Sequence, residues 1–196
     1  MYLHVKKTLF FVLLFVTLAA CGEIRFSQVT PGTETFHPDT ICVLPVETDA
    51  FPDAKGVVGP LIADAVGKKG YFSGVVSPKD TRKLMENDDK LAKAMSDYLE
   101  KLKKVSFSDS DISKYIGKRC DTDAILVVEV DFWNYTTRGE DKLAKVGFSM
   151  ELIEAQTGKI MWRAKHYDTE GYKWFKPDLA DLANKVADKM ISRMPH

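Results

Sequence analysis

Cysteine and histidine are both scarce in this chain, with three and four copies in 196 residues, and neither clusters. There is no C-x-x-C pair, and His37, His166 and His196 stand far apart in sequence, so the ligand spacing of a zinc site is missing. A glycine-rich phosphate loop is absent too: Gly67-Lys68-Lys69-Gly70 lacks the required spacing and reads as a helix end. Neither G-x-S-x-G nor S-x-x-K occurs, which leaves no recognisable nucleophile motif. Charge of one sign is lacking as well. The 28 basic residues match the 28 acidic ones, without the basic surplus of a nucleic-acid binder. From these absences we expect no enzyme, no catalytic set, no metal, no cofactor and no nucleic-acid partner.

What is present is unevenly placed. Lys6 and Lys7 precede an uncharged run from Leu9 to Ala20, which ends in Leu18-Ala19-Ala20-Cys21-Gly22. A positive start, a short apolar stretch and small residues at its end are the parts of a secretory signal. The run is shorter than the roughly 20 apolar residues of a bilayer-crossing helix. The terminal pentapeptide resembles the lipobox of bacterial lipoproteins, in which cleavage precedes a cysteine that takes up lipid. That resemblance implies a signal peptide over residues 1–20, lipidation at Cys21, and attachment to the membrane by an N-terminal lipid. Gly22, where aspartate would hold such a protein at the inner membrane, implies the periplasmic face of the outer membrane. Cleavage removes two lysines and no acid, which takes the charge from zero to −2. In an oxidising compartment Cys42 and Cys120 are candidates for a disulfide; buried thiols are the alternative.

Residues 22–40 are polar, contain Pro31, Gly32 and Pro38, and show no period. With Cys21 they read as a short tether (21–40), part of it packing on the domain that follows. Residues 41–196 read as a single α/β domain. Ile41 to Val46 is a buried-strand candidate. Val58, Leu61, Ile62, Ala65 and Val66 recur at helical spacing up to Gly70, and Phe72 to Val76 is a second strand. Ser77-Pro78-Lys79-Asp80 has the form of a helix start, and Leu91, Met95, Tyr98, Leu99 and Leu102 mark one stripe of a helix running through Lys103. A short helix ends near Cys120. Three strands follow: Asp123 to Asn134, then the run around Val146 to Leu152, then the run beyond the Thr157-Gly158 turn. One face of this meander is apolar. The other carries Glu129, Asp131, Glu151, Arg163 and Lys165, placed to pair across strands. Pro177 opens a last amphipathic helix. The predicted order is β-α-β-α-α-β-β-β-α, a mixed parallel and antiparallel sheet in two or three layers with helices packed on it.

Several of these residues together resemble a known group. They are Val43-Leu44-Pro45-Val46, the helix-to-strand element from Gly117 through Asp123-Ala124 to Leu126, and the hairpin Thr157-Gly158-Lys159-Ile160-Met161-Trp162. The combination is similar to the periplasmic lipoproteins related to the TolB N-terminal domain, CsgG and LpoB. It implies an α/β fold and an envelope protein, and it carries fold more than function. CsgG-type pores need additional membrane-spanning strands, and here the charged helical stretch 79–104 takes that place.

Two surfaces are candidates for contact. Tyr172, Trp174 and Phe175, flanked by Lys173 and Lys176, join the last strand to the last helix, with Trp133 and Tyr135 at another strand end. Aromatics rimmed by lysine suit an interface; the alternative is that Trp174 and Phe175 staple the last helix to the sheet. The charged helix 81–103 is the second, with a plain solvated face as its alternative. The sequence thus predicts a non-catalytic, lipid-anchored envelope protein that works as an adaptor or assembly factor through a protein partner. The alternatives are a ring-forming homo-oligomer of the CsgG type, and an envelope enzyme or small-ligand carrier.

Overall fold

The structure is a computed structural model that describes residues 24–196. The signal peptide and Cys21 lie outside the described residues. Six strands form one sheet in the order β1-β6-β5-β4-β2-β3. They are β1 (Phe26–Val29), β2 (Thr40–Val43), β3 (Gly74–Val76), β4 (Ala124–Arg138), β5 (Asp141–Glu154) and β6 (Ile160–Tyr172). β2 runs parallel to both β3 and β4; the other pairs are antiparallel. Five α-helices pack on this sheet: α1 (Val58–Lys69), α2 (Pro78–Glu86), α3 (Asp89–Val105), α4 (Ser110–Cys120) and α5 (Leu179–Ile191).

The layers follow from chain handedness. The β2-α1-β3 crossover steps outward along the sheet, and the return from β3 to β4 steps back past β2. Right-handed crossovers in opposite directions place their helices on opposite faces. Accordingly α1 and α5 cover one face, where Ile62, Val66, Val186 and Met190 meet Leu126, Phe148, Met150 and Trp162. α2, α3 and α4 cover the other, where Leu91, Met95, Tyr98 and Ile116 meet Cys42, Leu44, Ile125 and Ile153. The mixed α/β architecture expected from the sequence is present, in three layers.

Local chemistry sets the helix ends. Gly70 adopts φ +66° and closes α1. Ser77 accepts from the Asp80 backbone N–H with Pro78 in the first turn, as the Ser-Pro-Lys-Asp pattern predicts. The single helix expected to run through Lys103 is divided. Asn87 ends α2, and Asp88 caps α3 by accepting from the Leu91 N–H at 3.0 Å while Arg119 bridges it at 2.7 Å. An Asn-Asp-Asp run offers side-chain acceptors that compete with helix continuation, and two caps outweigh one unbroken helix.

The tether also differs from expectation. Phe26–Val29 pairs with β6 as an edge strand, Trp162 Nε1 donates to Ser27 Oγ at 3.0 Å, and Thr33 is buried in a 3-10 turn (Thr33–Thr35). Packing therefore extends well upstream of Ile41, and only the residues before Phe26 precede the sheet. Phe26-Ser27-Gln28-Val29 shows no alternation that would mark a strand, and all four residues stay exposed. Backbone pairing makes this strand; apolar burial does not.

Candidate functional site

β4, β5 and β6 have 15, 14 and 13 residues, more than twice the common strand length of about 5–6. They outrun the helices, so much of their α3-side face stays uncovered. A bulge between Val130 and Phe132 shifts the register. The uncovered face carries ladders of opposite charge. Arg163 Nε donates to Glu151 at 2.7 Å, and Lys165 Nζ reaches Asp131, which also accepts from Ser149. These are the cross-strand pairs that the alternation predicts. Beyond the bulge, Phe132 and Tyr167 meet edge to face. Lys145 Nζ lies 3.3 Å from the Phe132 ring centre and Arg25 lies 3.7 Å from that of Tyr167. Gly147 makes room for this stack, because a Cβ there would come within 2.5 Å of Tyr167 Cβ.

Where α3 ends against this face, a groove of about 350 Å³ opens beyond the carboxyl end of β2. That position is the switch point of the parallel strands, the usual place for a ligand in such sheets. Its apolar floor includes Phe51, Leu99, Leu102 and Val127, and its rim holds Glu47, Asp49, Glu129 and Glu151. Lys103 pairs with Glu47 at 3.5 Å and Arg163 with Glu151. Among the described residues, Asp49 and Glu129 have no ion-pair partner. Nothing in the one-dimensional pattern marks this groove, since its rim comes from three separate segments.

The aromatic cluster separates into a buried member and exposed ones. Trp133 belongs to the core, 6% exposed, so its expected role in contact is corrected. The bulge between Val130 and Phe132 turns it inward, and strand alternation alone does not register that shift. Tyr135 and Tyr172 meet edge to face at 5.8 Å, the Tyr135 hydroxyl donates to Pro177 O at 2.8 Å, and Lys176 Nζ stands 4.6 Å from the Tyr135 ring centre. Trp174 and Phe175 are each 90% exposed, which removes the staple reading. Asp178 starts α5 by accepting from the Ala180 N–H, so the helix begins without them. A broad hollow of about 520 Å³ between the β4–β5 tip and this loop is lined by Tyr135, Tyr172 and Trp174 with Lys142, Lys173 and Lys176.

The other singled-out side chains have structural surroundings. Cys42 and Cys120 are buried free thiols, and Cys42 also contacts Thr81 Oγ1 at 3.4 Å. The neighbouring Cys120 thiol raises the Cys42 pKa, with burial adding to the rise, and Cys42 in turn lowers that of Cys120. Desolvation lowers the His166 pKa; Lys189 Nζ lies 3.2 Å and Asp168 Oδ1 3.3 Å from its Nε2, while Nδ1 is buried without a partner. Burial pushes the Tyr98 phenol up to about 12. His37 Nδ1 meets the His196 carbonyl at 3.3 Å, and the His196 ring stacks on Tyr71. Among the described residues, no group of His, Cys, Asp and Glu converges as a metal set.

Neither a protein-family model nor a curated protein matches the chain. Solved structures share its fold. PelC from Paraburkholderia phytofirmans, a dodecamer, is 17% identical, with 87% of this chain and 97% of that one covered at a TM-score of 0.52. A hypothetical protein from Chlamydia trachomatis is 8% identical over 79% of this chain and 94% of that one, also at 0.52. A lipoprotein from Neisseria meningitidis is 17% identical over 79% and 99%, at 0.46. At these identities the likeness to PelC and to the Chlamydia protein is one of fold.

Proposed function

We propose that this chain is a non-catalytic, lipid-anchored envelope protein that holds a partner protein at the periplasmic face of the outer membrane. The groove beyond β2 carries the reading. An apolar floor under a rim of four carboxylates suits a basic, amphipathic segment, whose apolar side chains cover Leu102 and Val127 while its cations meet Asp49 and Glu129. The volume lies at the lower end of the range for small-ligand sites, about 300–1,000 Å³. Its open side continues onto the charged sheet face, which favours a chain segment over an enclosed small molecule. The lipobox resemblance at Cys21 supplies the location.

Photocrosslinking in native membranes tests the groove. A crosslinker at position 129 should trap one recurring protein through a segment rich in Lys or Arg, and Asp49→Lys should abolish the adduct. Trapping that Asp49→Lys leaves unchanged would refute the groove. For the anchor, the mature N-terminal peptide should carry acyl chains at Cys21 and Cys21→Ala should lose them; a native peptide without acyl chains would refute lipidation. The alternative of a homo-oligomeric ring takes its support from the dodecameric fold neighbour. Mass measurement in detergent decides that point, and a strict monomer excludes the ring.

A further inference from the structure

The aromatic loop has no place in the partner-binding reading, and three observations converge on it. Trp174 and Phe175 are each 90% exposed, whereas Trp133 and Trp162 are 6% and 0% exposed. Phe26 and Phe107 are exposed too, at 47% and 57%, but neither reaches the near-complete exposure of this adjacent pair. The base of the loop is held by Tyr135 donating to Pro177 O and by the Asp178 cap on α5, so the pair projects from an anchored segment. The adjoining hollow is lined by Lys142, Lys173 and Lys176 with no carboxylate; Glu140 and Asp141 occur at the nearby hairpin turn, which makes charge secondary to the apolar pair.

The third observation is the direction of the N-terminal chain. β1 is antiparallel to β6, with Phe26 opposite Lys165, so the chain before Phe26 runs in the direction that β6 takes towards Tyr172. It still follows β6 at Arg25, whose Nε donates to Tyr167 O. Cys21 stands five positions before Phe26, a reach of no more than about 17 Å. From Lys165 to Tyr172 the strand rises about 23 Å. At Arg25 the described chain therefore heads towards the end that presents Trp174 and Phe175.

We infer that this end is a membrane-contact surface. Trp174 and Phe175 enter the boundary between headgroups and acyl chains of a bilayer, and Lys142, Lys173 and Lys176 face its anionic phosphates. Indole rings favour that depth, lysines flank it, and two weak signals together hold a protein where one chain alone is marginal. The inference builds on the Cys21 anchor for orientation, while the aromatic contact is measurable without it.

Trp174 is its own probe, because the other two tryptophans are buried. The full-length lipidated protein is reconstituted into phosphatidylethanolamine–phosphatidylglycerol vesicles with brominated acyl chains. Bromolipid should quench the Trp174 emission and acrylamide should lose access to it; Trp174→Phe should abolish the bromolipid effect. Emission that stays open to acrylamide and unaffected by bromolipid in vesicle-bound protein would overturn the contact. In a second arm, Cys21→Ala protein is mixed with the same vesicles. A lipid-dependent blue shift is expected, with partitioning lowered at least ~10-fold by Trp174→Ala with Phe175→Ala. No shift at any lipid concentration counts against the surface. If the native N-terminal peptide carries no acyl chain yet the blue shift persists, the anchor reading fails and the surface stands.

Discussion

At the residue scale, the sheet makes neighbours of groups that the sequence holds far apart. Cys42 on β2 and Cys120 at the end of α4 are 78 positions apart in the chain, yet they lie in one apolar cluster, close enough for each to perturb the other's titration. Treatment with oxidised glutathione should therefore remove both thiols without leaving an adduct, as read by intact mass. Two thiols surviving that treatment would show that the local geometry does not admit the bond. His166 has the opposite character. Its folded-state pKa lies below the ordinary 6.5 because burial disfavours the imidazolium. The unfolded chain then binds the extra proton first, so stability should fall as pH drops through about 6.5 and level off below the folded value. Urea midpoints across that range should show the slope, and His166→Gln should flatten it. The lowered pKa values of Asp80 and Asp109, set first by Ser77 and by Lys101 respectively, add stability that is present above their ordinary 3.8 and lost as pH falls below it.

At the element scale, close approach explains the motifs on which the family resemblance rests. Asp123 Oδ2 accepts from the Asp39 and Thr40 backbone N–H groups and from Thr40 Oγ1, tying the start of β2 to β4. Gly158, at φ +73°, brings the β5–β6 turn against the first residue of α4, where a Cβ would meet Ser110 Cα at 2.8 Å. Gly117 lets α4 lie on Ala155, since its Cβ would come within 2.5 Å of the alanine Cβ and 3.0 Å of Thr122 O. Both neighbours are backbone or backbone-fixed, so Gly117→Ala should cost about 1–3 kcal/mol in urea unfolding. A change below a few tenths would mean that α4 slides freely. These residues hold helix to sheet, which is why they announce a fold and leave the partner unnamed. β1 makes a second test. Replacing Gln28 by proline removes a donor on a strand held by its backbone, and the expected loss is about 1 kcal/mol or more. An unchanged unfolding midpoint would show that β1 adds no stability.

At the scale of the whole molecule, the two candidate surfaces lie at different heights along β4. Val130 borders the groove, and Arg138 at the hairpin tip is eight residues further on, roughly 26 Å away. With the aromatic end at the bilayer, as proposed, the groove stands away from the membrane surface. Photocrosslinkers at Thr137 and at Glu129 should accordingly trap lipid and protein respectively; lipid adducts at both positions would contradict that orientation. The apolar leader, the lipobox-like pentapeptide, the helix stripes and the alternation of the meander were all legible in the sequence, because each is a local periodicity or a contiguous string. Local pattern also sufficed for the charge pairs of the sheet, since alternation places Glu151, Arg163 and Lys165 on one face. What it could not supply was any feature made by distant segments meeting. Only the tertiary structure decided that β1 joins an exposed edge, that a bulge turns Trp133 into the core, and that Trp174 and Phe175 project outward. It alone formed the acidic groove, whose walls come together because right-handed crossovers of opposite direction split the helices between the two faces and leave the long hairpin uncovered.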